Sequence, residues 1–176
     1  MVNEPFNLII TTPRNREFFA VREMESLLMD IGDDNPKVWK TGISGVVLGY
    51  TTLNPYDVPY KLRHLLSENP WAFRDVKRVI PIEFNVDTDL EEFSRIAKIL
   101  ADRIDPHMTY KVEVKKRYID IDRMEIIESI ASQIDRKVDL KNPDVIIVVE
   151  ILGPRTGIGL IKPDGILSVE RELMGS

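Results

Sequence analysis

A chain of 176 residues, 43% of them hydrophobic, can bury a core, and its length suits one domain or two small ones. With 29 Asp/Glu against 24 Lys/Arg its net charge is −5, which excludes a uniformly basic polyanion binder and leaves room only for a local basic face. It contains no cysteine, hence no disulfide, thiolate metal site or cysteine nucleophile; with no signal-peptide pattern in M-V-N-E-P-F-N-L-I-I-T-T and no apolar stretch near about eighteen residues, a cytoplasmic protein without membrane contact is expected.

The first half reads strand, helix, strand, strand, helix, strand. Phe6–Thr12 is apolar and β-branched, and Pro13 ends it. Val21, Met24, Leu28 and Ile31 then recur on one helical face, with Gly32 as the stop. Lys37–Thr41 and Val46–Thr51 flank a Gly42 to Gly45 turn and have the spacing of a hairpin. Asn54-Pro55 supplies a helix start, and Val58, Leu62, Leu65 and Leu66 the buried stripe that Asn69-Pro70 closes. Val76–Phe84 is the last strand, and Pro81 assigns it to an edge or a bulge. The order βαββαβ is that of a ferredoxin-like split βαβ unit.

The second half opens at Thr88-Asp89-Leu90-Glu91, which has capping-box spacing, and Leu90, Phe93, Ala97, Leu100 and Ile104 follow at helical spacing. Asp105-Pro106 breaks that helix. Thr109–Lys116 alternates Val112 and Val114 inward with Lys111, Glu113 and Lys115 outward. A helix starting at Asp122 and Glu125 buries Ile127, Ile130, Ala131 and Ile134. Val145–Val149 is apolar at every position, so it is expected to be central, covered on both faces and partly parallel. Ile158–Lys162 is a last short strand. Asn85–Thr88 is the one plausible boundary, giving a domain over 1–85 and another over 86–176 with a short C-terminal tail, the two packed as one rigid body. The fold class is α+β, βαββαβ followed by αβαββ.

Charge is unevenly spread. Residues 107–162 hold 10 Lys/Arg and 9 Asp/Glu, whereas residues 1–106 hold 13 and 17. Within Tyr110–Arg117, reading Y-K-V-E-V-K-K-R, four cations stand against Glu113 alone. Lys111, Lys115 and Arg117 are expected on the solvent side, where they suit phosphate contacts; on residue types alone a charged edge that deters aggregation is the more ordinary reading. Val138-Asp139-Leu140-Lys141-Asn142-Pro143-Asp144 reads as a turn in which Asp139, Pro143 and Asp144 shape the backbone, leaving Lys141 and Asn142 as candidate RNA contacts. Glu150 reads as a structural hydrogen-bond acceptor. Gly153-Pro154-Arg155-Thr156-Gly157-Ile158-Gly159 lacks a full nucleotide fingerprint. It is either a flexible loop that brings Arg155 to a nucleic-acid backbone or an ordinary hairpin connection. Arg14 and Arg16 flank the first helix start as weaker candidates. His64 and His107 do not make a metal site, and Asp30, Asp33 and Asp34 resemble an acidic turn more than a calcium loop. No catalytic triad or carboxylate pair assembles, so no catalytic residue and no cofactor are assigned.

Residues Thr88 to Lys162, through Y-K-V-E-V-K-K-R, V-D-L-K-N-P-D and V-I-I-V-V-E, resemble the THUMP domain, an RNA-binding module of tRNA-modifying enzymes. The resemblance implies a preceding ferredoxin-like domain and binding of the tRNA acceptor stem and single-stranded 3′ end. It implies delivery of that RNA to a catalytic domain elsewhere. As the two modules are expected to fill the chain, the match is to stand-alone THUMP proteins that serve as tRNA adaptors for an RNA acetyltransferase making 4-acetylcytidine, and an archaeal source suits it. Carried onto this sequence, the RNA-binding positions are Lys115, Lys116, Arg117, Lys141 and Asn142, to which the residue reading adds Lys111 and Arg155. The competing readings are a protein-interaction module that docks through an apolar sheet edge without touching RNA, and an adaptor for a different RNA-modifying enzyme.

Overall fold

The early apolar run forms β1 (Leu8–Thr11), which lies between β3 (Val46–Tyr50) and β4 (Arg78–Pro81) and is antiparallel to both; β2 (Lys37–Lys40) pairs with β3 at the outer edge. The resulting order β4-β1-β3-β2 is that of the split βαβ arrangement. A computed structural model describes residues 2–175 and divides them into two units, residues up to Ile82 together with those from Asp164 on, and Glu83–Pro163.

In the first unit, α1 (Glu17–Asp30) lays Ala20, Met24, Leu27 and Leu28 on Leu8, Ile10, Val47 and Val79 of the sheet. Gly32 takes φ +109° just past the helix, and Asp33 N–H reaches back to the Leu28 carbonyl at 2.9 Å. Gly45 must be glycine on two counts: φ is +77°, and a Cβ there would meet the Thr12 carbonyl at 3.0 Å. The second helix, α2 (Val58–Glu68), begins later than Asn54-Pro55, which instead make a turn with Tyr56 N–H donating to Asn54 Oδ1 at 3.0 Å. Asp33 is the structural knot of the turn after α1. Its carboxylate accepts from Thr51 Oγ1 and Thr52 Oγ1, both at 2.6 Å, and from the N–H groups of Asn35 and Thr52.

The second unit is a sheet in the order β5-β9-β8-β6-β7, built from β5 (Phe84–Asp87), β6 (Thr109–Lys115), β7 (Lys137–Val138), β8 (Val145–Leu152) and β9 (Arg155–Ile161). The all-apolar β8 is central as expected, parallel to β6 and antiparallel to β9. One face packs on α3 (Leu90–Ala101) and α4 (Arg123–Ala131), where Phe93, Ile96, Leu100, Ile126 and Ile130 meet Tyr110, Val114, Ile147 and Val149. The helix start differs from the capping-box reading. Asp89 caps α3 through Glu91 N–H, while Thr88 Oγ1 donates to the Gly153 carbonyl at 2.6 Å.

Two further boundaries depart from the sequence reading. The run Val76–Phe84 is not one strand, because beyond Pro81 the Ile82 N–H goes to Asn7 in the first unit and the Glu83 N–H to Ile158 in the second, each at 2.9 Å. The C-terminal residues, read as a tail of the second domain, pair with the first sheet: β10 (Leu167–Ser168) is antiparallel to β4, and Val169 N–H donates to the Lys77 carbonyl at 2.9 Å. Leu167 and Val169 enter the first core, and Arg63 holds the segment through Glu172 at 2.7 Å and the Asp164 carbonyl at 2.8 Å. The short α5 (Val169–Leu173) closes it.

Candidate RNA-binding surface

The alternation of β6 sends Tyr110, Val112 and Val114 to the helix-covered core and Lys111, Glu113 and Lys115 to the other side. Lys111 is not a bare cation, since its Nζ lies 2.8 Å from Glu113 two residues along the same face. Lys115 is exposed and makes no ion pair among the described residues. Beyond it Lys116 turns back, donating to the Ile121 carbonyl at 2.9 Å and so closing the loop that leads to α4.

Arg117 departs from the solvent position expected of it. Its side chain is 11% exposed and donates to Glu150 Oε1 at 3.2 Å, while the Glu150 side chain is 9% exposed. The physical reason is that a carboxylate set within a buried central strand needs a cation to compensate the lost hydration, and the arginine fork supplies it. Glu150 is therefore a structural acceptor, as read. Tyr118, which the sequence reading passed over, follows directly with φ +57° and 74% exposure, and Gly153 N–H fixes this corner on the Arg117 carbonyl at 2.8 Å. An aromatic placed next to three consecutive cations was the signal available for it.

The turn before β8 is built as expected. Asp139 Oδ1 accepts the N–H groups of Asn142 and Lys141 at 2.9 and 3.0 Å, which holds its carboxyl below the ordinary aspartate value. Asp144 accepts from Thr109 N–H at 2.8 Å, and Pro143 is buried. Lys141 and Asn142 are thereby presented to solvent on a fixed turn, beside the exposed Lys137 of β7.

Of the two readings of the glycine-rich segment, the geometry gives the hairpin. Gly153 and Pro154 form a two-residue connection with Leu152 opposite Arg155 and Gly153 at φ +62°, while Gly157 and Gly159 lie inside β9 opposite Glu150 and Val148. Arg155 is thus a strand residue, and its Nη1 meets Asp87 of β5 at 2.7 Å.

The seven candidates do not converge on one point. Because β6 and β8 are parallel, Lys115, Lys116 and Arg117 lie at the C-terminal end of the pair near the Gly153-Pro154 hairpin, whereas Lys141 and Asn142 lie at the N-terminal end beside Thr109. At about 3.3 Å per residue the two groups are separated by roughly 20 Å along the strand. Of the seven candidates, the exposed cations with no ion pair among the described residues are Lys115 at one end and Lys141 at the other, a spacing that suits an extended polyanion better than a small anion. Elsewhere, Arg16 is engaged by Asp75 at 2.8 Å, a hydrogen bond that raises its pKa, and its guanidinium sits 4.1 Å from the Phe19 ring centroid. His64 is exposed on α2 and pairs with Glu68 at 2.9 Å. Among the described residues no group of three or more His, Cys, Asp and Glu could hold a metal ion, and no helix is long and apolar enough to cross a membrane.

A relative of this chain, an uncharacterised protein of Methanocaldococcus jannaschii, is 26% identical over 157 residues, covering 86% of this chain but only 40% of its own length. A crystal structure from Pyrococcus horikoshii superposes over 90% of this chain and 55% of its own with a TM-score of 0.63 and 19% identity. A 4-thiouridine synthetase solved as an RNA complex with bound ATP superposes over 93% of this chain and 42% of its own, with a TM-score of 0.56 and 18% identity. At such identities the likeness is one of fold, and the chain spans about half or less of the length of these proteins. The THUMP family model matches residues 87–160, which run from the end of β5 into β9 inside the second unit. This chain therefore carries a THUMP domain at residues 87–160, preceded in sequence by the strands of a ferredoxin-like sheet.

Proposed function

We propose that this chain binds tRNA, at the acceptor stem and 3′ end, and holds it for modification by a separate catalytic protein. The observation that carries the reading is the THUMP match over residues 87–160. It is supported by the 4-thiouridine synthetase of similar fold that was solved with RNA, and by exposed Lys115 and Lys141 on fixed backbone. In this reading the chain performs no catalysis. It supplies positioning, raising the effective concentration of RNA at the partner's active site. The partner is an acetyltransferase that forms 4-acetylcytidine.

Binding is electrostatic at first order. With about three or four phosphates neutralised, log affinity for tRNA falls with log salt at a slope near −2 to −4. Arg117 is a poor probe, since a carboxylate there would face Glu150; Lys115→Glu and Lys141→Glu are the informative changes. Each is expected to weaken binding and to flatten the slope by about one unit. Unchanged affinity and slope in both variants would show that this surface does not hold the RNA. For the adaptor role, deleting the gene in its host should remove 4-acetylcytidine from particular tRNAs while the acetyltransferase remains active on other substrates; loss of a different modification instead would reassign the partner.

A further inference from the structure

At the margin of the first sheet Lys37, Trp39 and Tyr50 share the face opposite the helices. Lys37 pairs directly across from Tyr50, and Trp39 lies two residues along β2, the edge strand. Together with Glu4 and Pro5 they line a concavity of about 380 Å³, within the range of roughly 300–1,000 Å³ typical of small-ligand pockets. Tyr50 is 45% exposed, a large ring left at the surface, and Lys37 is exposed beside it. Two aromatic rings, a lysine and a carboxylate in one open pocket are a combination that neither a packed core nor a backbone-pairing peptide requires. A peptide extending the β2 edge would bond to main-chain groups and gain nothing from the charged head of Lys37.

We propose that this pocket receives one unpaired nucleotide of an RNA strand, with the base against Trp39 and Tyr50 and its phosphate at Lys37. The proposal rests on the RNA-binding reading above and adds a subsite on a different unit of the chain. Every base offers a π-face, so stacking on Trp39 and Tyr50 is tolerant of sequence. The ammonium of Lys37 is a point charge suited to phosphate. Duplex RNA, whose bases are already stacked on one another, is not expected to enter.

The sequence has two tryptophans, so Trp71→Phe leaves Trp39 as the lone indole reporter; Trp71 is 69% exposed, which makes that change benign. A short single-stranded RNA of mixed sequence should quench Trp39 emission saturably, and a blunt RNA duplex should not. In the same background Tyr50→Ala should weaken the interaction by about five- to a hundredfold, with Tyr50→Phe restoring it, and Lys37→Glu should weaken it and lower its salt dependence. Circular dichroism confirms that each variant is folded. A silent Trp39 at saturating single-stranded RNA, equal quenching by the duplex, or equal binding by Tyr50→Ala and Tyr50→Phe would overturn the proposal. Measuring intact tRNA in parallel separates the two assignments. If tRNA binding is weakened by Lys115→Glu while Trp39 stays silent, only the pocket falls. If Trp39 responds while Lys115→Glu and Lys141→Glu bind tRNA normally, the surface on the second unit falls and the pocket stands.

Discussion

Arg117 and Glu150 illustrate how a residue's neighbours reassign its role. Both side chains are about nine-tenths buried and bonded at 3.2 Å, so removing either takes an oppositely charged neighbour from a group that has lost its hydration. Arg117→Ala is expected to lower unfolding stability by about 3 kcal/mol in urea titrations, and the double change Arg117→Ala with Glu150→Gln to cost less than the sum of the two single changes. Asp33 permits a pH test. Burial by itself would raise its pKa, but hydrogen bonds from Thr51, Thr52 and the Asn35 and Thr52 amides outweigh burial and lower it. With the folded value below the unfolded one, its contribution is complete above the ordinary aspartate value, near 4, and is lost as pH falls through the folded value. Asp33→Asn should therefore cost about 2–3 kcal/mol at about pH 7, and the gap to the parent protein should narrow as the pH falls below the ordinary aspartate value, about 4. At this scale the sequence was legible where a residue acts on its near neighbours, as Asp139 does on the amides of Lys141 and Asn142. It was not legible where the partner is distant in the chain. Nothing in K-K-R distinguishes Arg117, which bonds a carboxylate 33 positions away, from Lys115, which stays in water.

The same division holds among the elements. Val112 and Val114 alternating with charges, and an unbroken apolar run at Val145–Val149, define a half-wet strand beside a fully covered one because side-chain period and burial are tied by strand geometry. The ferredoxin-like order of the first sheet was likewise readable from periodicity and turn residues. A two-residue strand carries no period, so β7 and β10 went unread. Gly157 suggested a loop because glycine is rare inside strands, yet it is paired in β9 opposite Glu150. The β10 segment offers a sharp test. Removing residues 164–176 takes Leu167 and Val169 out of the first core and uncovers β4. Hydrogen exchange should then show lost protection at the amides of β4, with those of β6 and β8 far less affected; equal loss in both sheets would show that stability is not divided between the units in this way.

For the molecule as a whole, a charge of −5 means that RNA is met by a repulsive far field and an attractive near one. Association with tRNA is expected to be slow for a nucleic-acid binder, nearer the unsteered range of about 10⁵–10⁶ M⁻¹s⁻¹ than the steered limit. Neutralising an exposed acid close to the cations, as in Asp120→Asn, should raise the stopped-flow association rate by about twofold at low salt and leave dissociation unchanged. If dissociation changes instead, Asp120 touches the bound RNA.

The return of β10 to the first sheet also sets a timetable. On a ribosome β4 emerges with one edge unpaired, and the strand that covers it lies beyond all of the second unit. At about 5–20 residues per second the interval between Pro81 and Leu167 lasts roughly 4–17 s, long enough for a bare edge to find another nascent chain. The exposed Arg78 at one end of β4 and Pro81 at the other, a charge and a missing N–H, guard that edge while it waits. The second unit can thus be complete while the unit begun before it is still unfinished, and the segment that seals the first sheet is translated only after that second unit.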